Sequence, residues 1–175
     1  NGNTFTKSTT KSQTVVRNEV KSMSGFEPTF EGEGEDPEVA PKPANNEIWY
    51  TATGKIDKEW TSIGSGSSYF GATVISHEWD IETGKGVITF DNDVTIIGYN
   101  ALMDCISLTS VTIPDSVTTI SGYAFAYCSN LTSMTIPDSV TIIGAMAFGK
   151  CSSLTSISIP DSVTSIGDSA FAGCS

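Results

Sequence analysis

Apolar residues recur at a fixed spacing through the second half of the chain. In residues 131–151 these positions are Leu131, Met134, Ile136, Val140, Ile143, Ala147 and Phe148. Met134 and Ile136 are two residues apart, as in the alternation of a short strand, which turns both side chains towards a core. The neighbouring Ser133 and Thr135 then face solvent. Pro137 lacks an N–H group for a sheet ladder and ends the strand.

The segment after each strand is predicted to turn and return to the same core. Asp138 and Ser139 can bond nearby backbone N–H groups, and Gly144 is expected to supply a bend. The preceding unit has Ser121 where the others have glycine, and there Gly122 is expected to take over the bend. The phenylalanine of each unit is expected to fill the centre of the coil.

Other residue types keep the same step of 23 residues. They are Cys105, Cys128, Cys151 and Cys174; Leu108, Leu131 and Leu154; Pro114, Pro137 and Pro160; Asp115, Asp138 and Asp161; and Phe125, Phe148 and Phe171. A fixed period of this length predicts stacked units, each too small to bury its apolar face alone. With the L-x-x-L-x-L spacing of residues 131–136, the predicted fold is a leucine-rich-repeat solenoid, mostly β with short irregular or 3-10 segments.

Three parts of the chain differ in pattern. Residues 1–46 are polar, then acidic and rich in Gly and Pro, which predicts a flexible tether with one short strand in QTVVRNEV, residues 13–20. Residues 47–86 are predicted to form a small β-rich N-terminal cap. Residues 87–175 are predicted to form the solenoid, with one degenerate repeat and three 23-residue repeats, the last incomplete.

The predicted cap is dense in strand-forming residues. EIWYTATGKI, residues 47–56, is expected to be a strand, and residues 72–90 a hairpin with its turn at 82–86. The large rings of the cap are expected to cover the open first coil, as a terminal repeat requires. A ligand site lined by these rings is the alternative. The rings are Trp49, Trp60, Tyr69, Phe70 and Trp79.

The charge of the chain excludes several partner classes. The formal net charge is −11, and residues 87–175 contain seven acidic side chains against one basic side chain, Lys150. Nucleic acids and anionic membrane surfaces require a positive field, so neither is expected as a direct partner. There is no apolar run of 18 residues.

LTSVTIPDSVTTISGYAFAYCSNL closely resembles the BspA-type leucine-rich-repeat family, whose repeat is similar to LTS(I/V)TIPxSVTxIGxxAFxxCxxL. The match covers about residues 87–175. The resemblance implies a secreted or outer-surface protein of an anaerobic bacterium, lipid-tethered through a flexible N-terminal linker and adhering to host matrix or other cells. The lipid anchor would lie outside this chain, whose first cysteine is Cys105. The family implies no catalytic residues and no cofactor.

The four cysteines favour a column of buried free thiols over two disulfides. Parallel coils about 4.8 Å apart keep Cβ atoms of equivalent residues at that spacing, slightly beyond the roughly 3.5–4.5 Å of a disulfide. Buried thiols then act as small hydrophobic groups with a weak S–H donor. Zinc needs converging ligands, often with His, and the single histidine, His77, lies outside the column. No metal site is predicted there.

Two further groups carry weaker hypotheses. Asp115, Asp138 and Asp161 repeat at coil spacing, and Ca²⁺ could relieve their repulsion; their role in the turn after proline explains them without a metal. His77 and Glu78 lie in SHEWD, but no G-x-S-x-G nucleophile motif and no phosphate-binding glycine pattern occurs. An enzyme is therefore not expected.

We expect a non-enzymatic binding or adhesion protein that uses the strand side of the solenoid. Its predicted binding face consists of Ser110, Thr112, Ser133, Thr135, Ser156 and Ser158. Host matrix or cell-surface protein is the expected partner. A structural spacer without a ligand and a carbohydrate-binding cap are the alternatives. The apolar residues of the last coil also predict that this coil is covered, either by further residues of the parent protein or through self-association with a second copy of the chain.

Overall fold

The computed structural model describes residues 4–7, 13–16, 42–58, 60 and 67–175. Two units are distinct, Asn1–Ala40 and Pro41–Ser175. In the first, β1 (Thr4–Lys7) and β2 (Gln13–Val16) form an antiparallel pair. The start of QTVVRNEV is thus a strand, while β1 was not expected. Most of the predicted tether, like residues 17–20 of that segment, lies outside the described residues, and its boundary stays a prediction.

The second unit is the predicted solenoid with its cap. Its elements are β3 (Glu47–Ala52), α1 (Ser67–Phe70), β4 (Val74–Asp80), β5 (Lys85–Phe90), β6 (Ile96–Ile97), β7 (Leu108–Thr112), β8 (Thr119–Ile120), β9 (Ser133–Thr135), β10 (Ile142–Ile143) and β11 (Ser165–Ile166). One sheet is parallel, in the order β11-β10-β8-β6, and the other has the order β4-β5-β3-β7-β9. Short strands, turns and one helical turn confirm the predicted leucine-rich-repeat fold.

The five-stranded sheet joins the cap to the repeats. β4 and β5 form the predicted hairpin, with Gly84 in the left-handed region at φ 66°. β5 has the phase of a repeat strand, since Phe90 is equivalent to Ile113 of the next coil. The cap strand β3 lies between β5 and β7 and is antiparallel to both. The first two repeat strands are therefore separated by a strand of the cap.

The predicted phenylalanine column fills the centre of the solenoid. The rings of Phe125 and Phe148 are parallel within 4° with centroids 5.3 Å apart, and Phe148 and Phe171 are parallel within 2° at the same distance. The side chains of Phe125 and Phe148 are fully buried, as are Leu131, Val140 and other apolar residues of the repeat. Burying a large side chain contributes about 1.5–3 kcal/mol, so each added coil extends one continuous core.

Glycine has a different role from the predicted one. A Cβ on Gly144 would meet the amide nitrogen of Gly122 and come within 2.9 Å of its Cα, so Gly144 allows two coils to approach closely. The bends use two left-handed positions per coil instead. The residues with positive φ there are Asn100, Asp104, Tyr123, Tyr127, Met146, Lys150, Ser169 and Gly173. The prediction that Gly144 supplies the bend is therefore wrong.

The serine of each Pro-Asp-Ser segment also differs from its predicted role. Ser116 donates to the Val94 carbonyl at 2.7 Å, and Ser162 donates to the Val140 carbonyl at 2.8 Å. Ser139 makes the equivalent bond to Val117. These hydroxyl groups tie each coil to the preceding one, whereas the sequence predicted local bonds to backbone N–H groups. The stack therefore gains a side-chain bond per coil in addition to its backbone ladder.

The close approach at Gly144 gives a stability prediction. Gly144→Ala should lower the free energy of unfolding by about 1–3 kcal/mol, because the methyl group forces neighbouring backbones apart. Ser121→Ala is the matched control, since this position has the same phase and already carries a Cβ; its effect should stay within about 0.5 kcal/mol. Urea unfolding measures both. Equal midpoints for the two variants would contradict the packing role of Gly144.

Candidate binding face

The outward-pointing residues of the five-stranded sheet form one continuous surface, which we call the outer face. Ser110 pairs with Ser133 and Thr112 pairs with Thr135 across β7 and β9. Their strand neighbours Val111 and Met134 are 2% and 8% exposed and point into the core. Four predicted face residues therefore lie together in two rows. Ser156 and Ser158 are exposed but lie beyond the last strand of this sheet, in a segment without strand hydrogen bonding.

The cap extends the same two rows, which the sequence did not predict. Trp49 of β3 is opposite Thr112, and on its other side it is opposite Val87 of β5. Thr51 is likewise opposite Ser110. Trp49 and Thr51 are two residues apart in EIWYTA, a spacing that could have indicated a shared face of the strand. They reach these rows only because β3 is inserted between β5 and β7.

Hydrogen bonds fix the side chains at the centre of the outer face. The Thr51 hydroxyl lies 2.7 Å from the Thr109 hydroxyl and 2.7 Å from the Ser110 hydroxyl. The indole N–H of Trp49 donates to Glu47 Oε2 at 2.8 Å. Glu47 and Trp49 are two residues apart on one strand, so their side chains share a face. These contacts limit the rotamers available, which lowers the entropy cost of binding.

Two backbone carbonyls of the cap show how it covers the first coil of the solenoid. The Thr95 amide donates to the Phe70 carbonyl at 3.2 Å, and the Gly98 amide donates to the Tyr69 carbonyl at 2.6 Å. Later coils make equivalent bonds to the preceding coil. The indole N–H of Trp60 donates to the Ala101 carbonyl at 2.9 Å, and the ring is buried. The cap therefore takes the place of a preceding coil.

The cap aromatic residues do not form one shared ligand surface. Trp60 and Phe70 are buried and pack edge-on with centroids 5.8 Å apart, and Phe70 contacts Phe90 at 4.9 Å. Tyr69 and Trp79 are partly buried and pack against the same core. The five aromatic residues considered for a ligand site are thus divided, with Trp49 on the outer face. A ligand site lined by all five does not form.

His77 has a structural position beneath the outer face. Its Nε2 lies 2.7 Å from the Tyr50 hydroxyl, and its ring centroid lies 5.3 Å from that of Trp60. Tyr50 reaches His77 across Gly86, where any Cβ would overlap the tyrosine ring. Burial raises the pKa of Tyr50 to about 12 and lowers the pKa of His77. Both pKa shifts are consistent with a neutral His77 imidazole whose Nε2 accepts a hydrogen bond from the Tyr50 hydroxyl.

Residues 85–175 match the family model of the BspA type leucine rich repeat region, with six copies. The chain belongs to this family. Strand β5 and all later strands lie within the matched residues. Leucine-rich repeats of this kind generally mediate protein–protein interaction, and proteins of this type are typically associated with the bacterial surface.

Solved leucine-rich repeat proteins resemble parts of the chain. One from Bacteroides ovatus is 37% identical over 58% of this chain and 24% of its own, with a TM-score of 0.45. One from Bacteroides capillosus is 34% identical over 61% of this chain and 70% of its own, with a TM-score of 0.42. The T. pallidum protein TpLRR is 27% identical over 48% of this chain and 50% of its own, and its TM-score is also 0.42. The match spans about a quarter of the B. ovatus protein. No curated protein matches the chain.

The BspA-type repeat places its cysteines in the predicted column of free thiols. The thiols of Cys128 and Cys151 each donate to a carbonyl of the preceding coil at 3.1 Å, and Cys174 does so at 3.2 Å. Burial raises the pKa of Cys151 to about 12. The pKa of Cys128 is raised by its hydrogen bond with Cys105 and by burial. The prediction of buried thiols acting as weak donors is therefore confirmed for Cys128 and Cys151, while Cys105 is buried and Cys174 is partly exposed.

The aspartate column is exposed in the BspA-type stack. Lys42 forms an ion pair with Asp115 at 2.9 Å, and both side chains are more than half exposed. Asp138 and Asp161 are exposed at the same phase. Among the residues that the structure describes, no group of three or more His, Cys, Asp or Glu side chains is arranged to hold a metal ion. The described part of the chain also has no helix long and apolar enough to span a membrane.

Thiol labelling tests the column. In the native protein, a thiol reagent should modify Cys174, which is partly exposed, much faster than Cys105, Cys128 and Cys151, which are buried. The thiolate is the reactive species, so the raised pKa values of Cys128 and Cys151 add to their protection. The hydrogen bond with Cys128 lowers the pKa of Cys105, so Cys105 is protected by burial alone. After denaturation without reductant, all four cysteines should react. Fewer than four modified cysteines in the denatured sample would show disulfides and contradict the assignment.

His77 gives a prediction for pH. Burial and then Lys55 lower its pKa below 6.5 in the folded state, so the unfolded chain binds this proton more readily. The contribution to stability is present above about pH 6.5 and declines as the pH falls towards the lowered pKa. Urea midpoints at about pH 7.5 and about pH 5.5 should therefore differ less in His77→Gln than in the native chain. An unchanged difference would assign the pH dependence to other groups.

Proposed function

We propose that this chain is a non-enzymatic adhesion module of a bacterial surface protein, and that its outer face engages proteins of the host matrix or of other cells. The observation that carries this proposal is the paired register of Ser110 with Ser133 and Thr112 with Thr135 beside the cap strand. Small hydroxylated side chains let a partner approach the backbone of a rigid sheet. Membership of the BspA-type family supports the more general statement that the repeats are used for protein interaction.

The location that fits this role is the outer surface of the cell, with the parent protein held by a lipid tether. The proposal needs no cofactor, no nucleic acid and no direct membrane contact. An acidic chain with net charge −11 supports a basic or neutral protein partner over an anionic one. The solenoid adds rigidity, since every coil is hydrogen-bonded to its neighbours.

Two alternatives remain distinct from protein binding. A spacer module would use the same stiff stack without a ligand, and it would show no dependence on the outer face. A carbohydrate-binding cap would use exposed aromatic rings. The burial of Trp60 and Phe70 leaves Trp49 as the cap ring on the outer face, which weakens a carbohydrate site built from several rings.

Self-association through the last coil stays a prediction. Ile159 and Ile166 are 39% and 50% exposed, whereas the equivalent residues Ile136 and Ile143 are 5% and 0% exposed. Apolar residues that are exposed at these repeat positions could be covered either by another coil of the same kind or by a second copy of the chain. A second copy that paired end to end would use the same coil of its partner, because the cap covers the opposite end of the solenoid.

A double substitution on the outer face tests the proposed function. Thr112→Lys with Thr135→Lys should weaken capture of the chain by purified extracellular-matrix proteins by at least roughly tenfold, because two long charged side chains then cover the centre of the face. Folding should be retained, since Thr135 is exposed and Thr112 is only partly buried. Surface plasmon resonance measures capture and circular dichroism measures folding.

Thr141→Lys with Thr164→Lys is the matched control for that experiment. Both threonines are exposed and lie beside the four-stranded sheet, so this variant adds the same charge away from the outer face. It should bind as the native chain does. Equal loss in both double variants would indicate a general charge effect, and unaltered capture in the first would exclude the outer face as the binding surface.

A further inference from the structure

The centre of the outer face is an aromatic ring supplied by the cap. Trp49 lies between Val87 on one side and Thr112 on the other, in register with both. Its strand neighbours Ile48 and Tyr50 point into the core, so the indole projects on the opposite side. Interaction hot spots are commonly aromatic side chains near the centre of an interface.

The charged residues around this ring are mainly acidic. Glu47 is on the strand of Trp49, and Glu78 is opposite Val87, one strand further out. Asp80 and Lys85 are opposite each other at the hairpin end of the same sheet. A shallow depression of about 420 Å³ over the hairpin is lined by Glu78, Trp79, Asp80, Thr83, Lys85 and Val87.

We infer that Trp49 is the anchor of the outer face and receives an arginine or lysine side chain from a basic protein partner, with Glu47 and Glu78 pairing with its charge. This inference rests on the proposed function and names the chemistry of the partner. A cation over an indole is attracted by the negative face of the ring. The Glu47 carboxylate beside the ring and the Glu78 carboxylate beyond Val87 supply the complementary charge.

The geometry at Trp49 suits this contact because the ring is already oriented. The Glu47 carboxylate accepts from the indole N–H at 2.8 Å and fixes the side chain along its own strand. The second oxygen of that carboxylate can accept from an incoming guanidinium group. Trp49 is partly exposed, and Thr112 and Thr135 in the same row have small side chains, so they leave room for a partner to reach the face of the ring.

The probes are two fluorescent peptides of equal length, one rich in arginine and one rich in glutamate, together with a set of neutral oligosaccharides. The arginine peptide should bind, and the glutamate peptide should not. Trp49→Val should weaken binding of the arginine peptide by about tenfold, because it keeps a strand-forming residue but removes the ring. Trp49→Phe keeps an aromatic ring that attracts cations less strongly, so its affinity for the arginine peptide should lie between those of the native chain and Trp49→Val.

Charge variants separate a local site from the general acidity of the chain. Glu47→Gln with Glu78→Gln should weaken binding of the arginine peptide several-fold. Asp138→Asn with Asp161→Asn removes the same charge from an exposed column elsewhere and should have no comparable effect. Lys85→Gln should strengthen binding, since it removes a positive charge from the same face. Thermal unfolding of each variant confirms that the fold is retained.

Three results would overturn the inference. Equal losses in the two acidic double variants, with no effect of Trp49→Val, would show general charge attraction. Binding of a neutral oligosaccharide that depends on Trp49 would assign the ring to a glycan. Failure of the arginine peptide to bind, while Thr112→Lys with Thr135→Lys still abolishes capture by matrix proteins, would leave the proposed function standing and exclude a cationic anchor contact.

Discussion

The hydrogen bond between equivalent positions of neighbouring coils determines the rest of this structure. The amide of Thr118 donates to Thr95, that of Thr141 to Thr118, and that of Thr164 to Thr141, at 2.9–3.0 Å. Because each bond joins residues at the same phase, every side chain lies above its counterpart. The phenylalanine rings stack nearly parallel for this reason. The thiol column and the hydroxyl rows of the outer face follow from the same register.

The register also imposes local costs that the stack has to offset. Tyr123, Met146 and Ser169 adopt a left-handed conformation that disfavours residues with a side chain. The amides of Tyr123 and Met146 donate to carbonyls of the following coil, those of Ala145 and Asp168, both at 3.0 Å. These bonds between coils help to offset the cost of the bends. Stability and local conformation are therefore properties of the stack rather than of one repeat.

The cap combines two functions because the repeat sheet is open at its first coil. On one side, Tyr69 and Phe70 accept the bonds that a preceding coil would accept. On the other side, β3 inserts into the repeat sheet and brings Trp49 to the rows of Thr112 and Ser110. The surface that we propose for binding is consequently built from cap and repeats together. Neither part alone would place an aromatic ring among the hydroxyl groups.

The sequence by itself determined the solenoid, its period, the strand at Met134, the phenylalanine centre and the thiol column, because these depend on one repeated spacing. It also determined Ser110, Thr112, Ser133 and Thr135 as outward-pointing, since a strand alternates its side chains. The tertiary structure decided where β3 lies, what Gly144 contacts and which partner Ser139 bonds. Each of these depends on distances between segments far apart in the chain, which local patterns do not contain.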